Sequence, residues 1–160
     1  MADYLGLCLN LKGGQLSQWA NYNFNSMTKI GGQYIGANEL GLFQLNTGND
    51  DAGNAIEAFF ELVTSDWGIP GQKRIRSWYV GYEADGDLLL TVKDDDGNER
   101  MWTLEPIHSD NQQHGVKGWG ARDGKGRYWM IRIDNVNGAD FSIDNIMVLP
   151  IILNGKPSGA

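Results

Sequence analysis

The sequence predicts an all-β fold, an antiparallel β-sandwich of jelly-roll-like form preceded by N-terminal hairpins, and three observations carry that expectation. Short runs of alternating apolar residues recur at spacings of about 8–12 residues, with turn residues between them. Glycine occupies 22 of the 160 positions, which suits a chain that turns often. Six tryptophans are many for this length, and aromatic rings fit the pleated, half-buried surface of a sheet. A chain this long buries roughly 70% of the surface its unfolded form exposes, so a core can form without covalent staples.

Taken in order, Tyr4–Leu11, Gly13-Gly14 and Gln15–Trp19 read as a hairpin. The asparagines of Asn21-Tyr22-Asn23-Phe24-Asn25 can bond to their own backbone and favour irregular structure. Gly32–Gly36 and Leu40–Leu45 form a second hairpin about Ala37-Asn38-Glu39. After the polar cluster Asn46–Asn54, residues Ala55–Thr64 fit both a helical stripe and an alternating strand. The strand is preferred, because the run is short and its neighbours are strand-like. Arg74–Glu83 and Leu88–Lys93, joined through Ala84-Asp85-Gly86-Asp87, read as a hairpin on the strength of Asp-Gly. Asp94-Asp95-Asp96-Gly97-Asn98 turns the chain into Arg100–Leu104, and Val116–Ala121 with Arg127–Asn135 reads as a further meander. Phe141–Leu153 changes parity near Asp144-Asn145, which predicts a bulge, and Pro150 predicts an edge position. The expected organisation is an N-terminal docking segment of hairpins over 1–50, a sandwich over 51–153 and a flexible tail over 154–160.

Charge and motifs exclude more than they assign. A formal charge of −7 repels a phosphate backbone, and Lys73, Arg74 and Arg76 are too small a patch to reverse the field, so no nucleic-acid partner is expected. Cys8 stands alone, so no internal disulfide or thiolate zinc cage can form. The start of the chain lacks a basic region and a long apolar run, and no stretch reaches a membrane span; neither a secretory signal nor a membrane anchor is expected. His108 and His114, with Asp110 between them, lack the helix spacing of a zinc site and read as loop residues. Asp94-Asp95-Asp96-Gly97 misses the first carboxylate of a calcium loop, and Asn49-Asp50-Asp51 reads as a solvated turn. Gly118-Trp119-Gly120 opens no dinucleotide fingerprint, because no helix follows. No serine sits in a nucleophile elbow. Paired acids on a sandwich leave a glycosidase conceivable, but no catalytic residue, cofactor or metal is expected.

Two stretches carry a likeness to a known family. One is Asn10-Leu11-Lys12-Gly13-Gly14-Gln15-Leu16-Ser17-Gln18-Trp19, continued by Asn21–Ser26, Gly32–Ala37, Gly41-Leu42-Phe43-Gln44-Leu45 and the acidic turn Asp50-Asp51-Ala52-Gly53. The other runs from Arg127-Tyr128-Trp129-Met130-Ile131-Arg132 through Asp140-Phe141-Ser142-Ile143-Asp144-Asn145-Ile146 into Leu149-Pro150-Ile151-Ile152-Leu153. With Lys73–Arg76 and Tyr79–Tyr82 between them, they resemble the β-rich bacteriophage tail proteins of the tip, hub or adaptor. The resemblance implies a viral structural protein, assembled in the host cytoplasm, carried in the virion and held by contacts with other tail proteins, as a homo-oligomer. Such stretches also occur inside larger tail proteins, whereas this one reads as a short, complete chain.

Contacts are expected at residues 1–26, at the apolar run Ile151, Ile152 and Leu153 after Pro150, and at the strand face bearing Arg74 and Arg76. A second expectation, attachment to a host-surface glycan, rests on a stacking platform of Trp78, Tyr82, Trp102 and Trp119, against which stands the need for the same rings as packing mass.

Overall fold

The computed structural model describes residues 5–20, 22–48, 50–51, 53–106, 114–120 and 124–153. Among them there are strands and turns and no helix, all pairing is antiparallel, and no helix long and apolar enough to cross a membrane occurs. The chain divides into two compact units at Gly48. The expected tail over 154–160 lies outside the described residues.

In the first unit β1 (Leu5–Leu9) and β2 (Leu16–Ala20) form the expected hairpin, with Leu9 opposite Leu16. Asn10 closes it: its Oδ1 accepts from the backbone N–H of Lys12 at 3.0 Å, and its carbonyl accepts from that of Gly14 at 2.7 Å. A three-stranded sheet follows, made of β3 (Ser26–Ile30), β4 (Gln33–Asn38) and β5 (Gly41–Leu45). The β4–β5 hairpin matches expectation, whereas β3 is an addition. Its turn is Gly31-Gly32, where φ is 58° and 90°. A two-residue turn with positive φ at both positions follows the right-handed twist of the flanking strands, and glycine adopts it without strain.

The second unit opens with a two-residue pair, β6 (Asp50–Asp51) and β7 (Asn54–Ala55), within the stretch expected to be a polar turn. Of the ambiguous 55–64 run, β8 (Phe59–Glu61) is extended, as preferred from the sequence. Asn135 fixes its approach, accepting from Ala58 N–H at 2.8 Å and donating to the Ile56 carbonyl at 2.8 Å. The main strands are β9 (Lys73–Ala84), β10 (Leu88–Asp94), β11 (Glu99–Leu104), β12 (His114–Trp119), β13 (Trp129–Asn135) and β14 (Phe141–Ile152). They build two sheets, ordered β11-β10-β13-β8 and β12-β9-β14, so four strands face three across one core. A jelly roll sets eight strands in two sheets.

Two expected pairings are corrected. β9 and β10 are not a hairpin, and β12 and β13 are not a meander, because each pair divides between the sheets. The Asp-Gly signal at 85–86 misled for a definite reason. Gly86 does not take positive φ; its bareness serves close approach, since a Cβ there would lie 2.9 Å from Ala139 Cβ. The link bonds instead to the 136–140 loop, with Asp85 N–H donating to the Asp140 carbonyl and Asp140 N–H to Asp85 Oδ1. Crossing between sheets lets Val80, Tyr82 and Ala84 meet Leu88, Leu90 and Val92 across the core, which side-by-side pairing would forbid.

The predicted bulge lies between Ile143 and Asn145, and Pro150 sits on β14, an edge strand, at a second register shift. Trp78 packs at 59° against Trp102 with centroids 5.6 Å apart, and Trp129, Ile131 and Ile133 complete the core from β13.

Tyr82 is fully buried, and its hydroxyl donates to the Glu105 carbonyl at 2.6 Å. Burial, with Asp87 and Glu105 adding to it, pushes the phenol above its ordinary 10.0. The folded chain therefore keeps a proton that the unfolded chain releases, and stability falls as pH rises beyond 10.0. Tyr82→Phe should lose about 1 kcal/mol at pH 7 and flatten the alkaline limb of a stability–pH curve from urea titrations. An unchanged alkaline limb would assign that transition to another group.

Candidate interaction surface

Side chains on β1 alternate, so Leu5, Leu7 and Leu9 share one face, and across β2 that face continues in Leu16. All four are exposed, by 55–66%. The opposite face bears Gly6 and Trp19 and is partly covered by Tyr22, whose ring would lie 3.1 Å from a Cβ on Gly6. Trp19, Tyr22, Phe24 and Phe43 then run as a chain of ring contacts with centroids 5.0–5.8 Å apart. Phe24 lies flat over Gly36, the one fully buried residue among the described residues of this unit.

In the second unit the outer face of β12-β9-β14 carries two rows. Trp119, Ser77 and Leu149 stand opposite one another, and so do Lys117, Tyr79 and Met147. Trp119, Met147 and Leu149 are 64%, 57% and 54% exposed. On each outer face a cation lies over a ring: Lys117 Nζ is 5.0 Å from the centre of the Trp119 ring, and the Arg132 guanidinium, paired with Asp134 at 2.6 Å and Glu61 at 3.4 Å, lies 3.8 Å from the centre of the Phe59 ring. Met147 and Leu149 lie beside the first of these as exposed apolar side chains.

The residues expected at an interface occupy the end of the β12-β9-β14 sheet. Ile151 and Ile152 stand opposite Arg74 and Lys73, with Ile152 exposed, Ile151, Leu153 and Arg74 half-buried, and Arg76 exposed. The glycan platform is corrected. Trp78 and Tyr82 point into the core at 5% and 0% exposure, Trp102 is packed against it, and Trp119 alone of the four is at the surface. The Trp78 ring covers Gly118, where a Cβ would fall 2.0 Å from it, so that glycine makes room for an indole.

Tyr79, Met147 and Leu149 were not anticipated, although a signal existed. Ile146-Met147-Val148-Leu149 is apolar on both parities, whereas a sandwich strand wetted on one side alternates. Such a run implies cover on both faces.

Polar groups of the second unit are engaged in holding the fold. Asp94 Oδ1 accepts from the backbone N–H of Asp96 and Asn98 at 3.1 and 2.9 Å, and the Asp95 carboxylate accepts from Arg127 N–H at 3.1 Å. Among the described residues no three His, Cys, Asp or Glu side chains gather as a metal site. His108 and Asp110 lie outside the described residues, and of His114 only the backbone is described.

Fold and surface together define a two-unit, antiparallel β protein with uncovered apolar strand faces in both units. Compared with known proteins, the chain matches no protein-family model and no curated sequence.

Proposed function

We propose that this chain is a structural component of a bacteriophage tail, at the tip, hub or adaptor, that works by protein–protein contact and catalyses no reaction. The motif stretches at 10–53 and 127–153 motivate the choice of particle. The observation that carries the mode of action is the exposed, largely apolar outer face of β12-β9-β14, where Leu149, Met147 and the Lys117-capped Trp119 stand at the surface. Contiguous apolar surface at strand faces marks an interaction site, and its burial against a neighbour supplies association free energy. In this reading the protein assembles in the host cytoplasm and travels in the virion beside other tail proteins. Glycan attachment retains one surface residue of its platform, Trp119, and is the weaker reading; a glycan array reads it directly. The decisive experiment is mass analysis of purified virions with cryo-microscopy of the particle. The protein should be present in stoichiometric amount, with the β12-β9-β14 face against a neighbour. Its absence from particles would end the proposal.

A further inference from the structure

The first unit buries little of its own apolar surface. Among its described residues no large apolar side chain is fully buried; Tyr22, Phe24 and Phe43 are half-buried, and the hairpin leucines face solvent. Units under about 70–80 residues need a staple, namely disulfides, a metal, cyclisation or association with another surface. Cys8 is the sole cysteine, which removes an internal disulfide. Among the described residues no side-chain group is placed to hold a metal. Association remains.

Charge selects the associate. Lys12 and Lys29 balance Asp3 and Glu39, so residues 1–48 are formally neutral and the whole of the −7 falls on residues 49–160. Copies of an acidic chain repel one another, and the least costly place for them to meet is the neutral unit. The face formed by Leu5, Leu7, Leu9 and Leu16 carries no formal charge, so it complements itself and offers nothing to a strongly charged partner. Leu5, Leu7, Leu9 and Leu16 are 55–66% exposed on one side of the hairpin, an apolar strand face of the kind that marks an interaction site.

We infer that the 1–48 unit is a self-association module, in which the leucine face of the β1–β2 hairpin packs against the same face of another copy of this chain. The inference builds on the structural role proposed above and supplies its contact between like subunits.

The test is the mass of the full chain in solution by light scattering, across nanomolar to tens of micromolar concentration. The wild-type chain should be a multimer. Leu7→Lys and Leu7→Glu should each weaken association by on the order of 30-fold or more, the effect of losing one interface hot spot. Both should keep the near-ultraviolet signal of the buried tryptophans, which reports the second unit. An equimolar mixture of the two variants should recover the multimer, because opposite charges then face each other across copies. A monomeric wild-type chain would overturn the inference, by showing the face covered within the chain or by a different protein. So would wild-type mass in both variants, or a mixture of folded variants that stays monomeric. These outcomes are separable from the virion test: a multimer absent from particles defeats the tail assignment alone, and a monomer present in particles defeats this inference alone.

Discussion

Replacing Lys73 with methionine should lower the unfolding free energy by about 3 kcal/mol, a large effect for one side chain in a marginally stable domain. Lys73 has no accessible surface. Its ammonium donates to the carbonyls of Ile69 at 2.9 Å and Gly71 at 3.5 Å and to that of Arg127, tying the segment before β9 to the segment before β13. Its backbone exchanges two hydrogen bonds with Gly126, at 2.9 Å each. Methionine keeps the stem and the packing, so what is lost is the donor, and three part-buried carbonyls lose their shared partner. Burial holds the amine below its ordinary 10.5, against the pull of Asp66 and Asp95. The unfolded chain therefore binds that proton more tightly, and this group's own contribution to stability improves as pH rises through the window just below 10.5, opposite in sign to Tyr82. Urea denaturation of wild type and Lys73→Met at pH 7 measures the loss. A difference under about 0.5 kcal/mol, the range of ordinary surface changes, would mean that the ammonium does not brace these segments.

Trp129→Ala should cost a comparable 3–5 kcal/mol, through a different mechanism. The indole is 3% exposed in the core, and its Nε1 donates to the Gly126 carbonyl at 3.2 Å. Its backbone exchanges two 3.0 Å hydrogen bonds with Ser65 and so anchors the segment that leads to β9. Removal leaves a cavity between the sheets that rigid strands collapse into only in part. Trp129→Phe, which refills most of the volume, should recover more than half of the loss. Thermal unfolding followed in the near ultraviolet would separate the two variants, and equal midpoints for alanine and phenylalanine would contradict the packing account.

Much of the fold was legible because strand signals are local. Alternation located β1, β2, β4, β5 and β14, and the parity change at Asp144-Asn145 announced a bulge before any partner strand was known. The Asp94–Asn98 turn was legible for the same reason: an aspartate can cap its own turn, and Asp94 does. Failures occurred where one glycine can serve two purposes. Gly31-Gly32 is a true positive-φ turn that defines β3, whereas Gly86 is bare to admit Ala139. A sequence shows the missing Cβ in both cases, but not which need it meets.

The surface divides the same way. The leucines of β1 fall within the segment expected to dock, and they lie on an open face. Trp78 and Trp119 were indistinguishable in the chain, yet one fills the core and the other stands in solvent.

By itself, the sequence determined that this chain would be built of short antiparallel strands and where most of them lie. Tertiary structure alone decided which strands share a sheet and therefore which rings are covered. The reason is physical: alternation assigns a residue to one of two strand faces, but which face becomes the inside depends on a partner strand that lies far away in sequence.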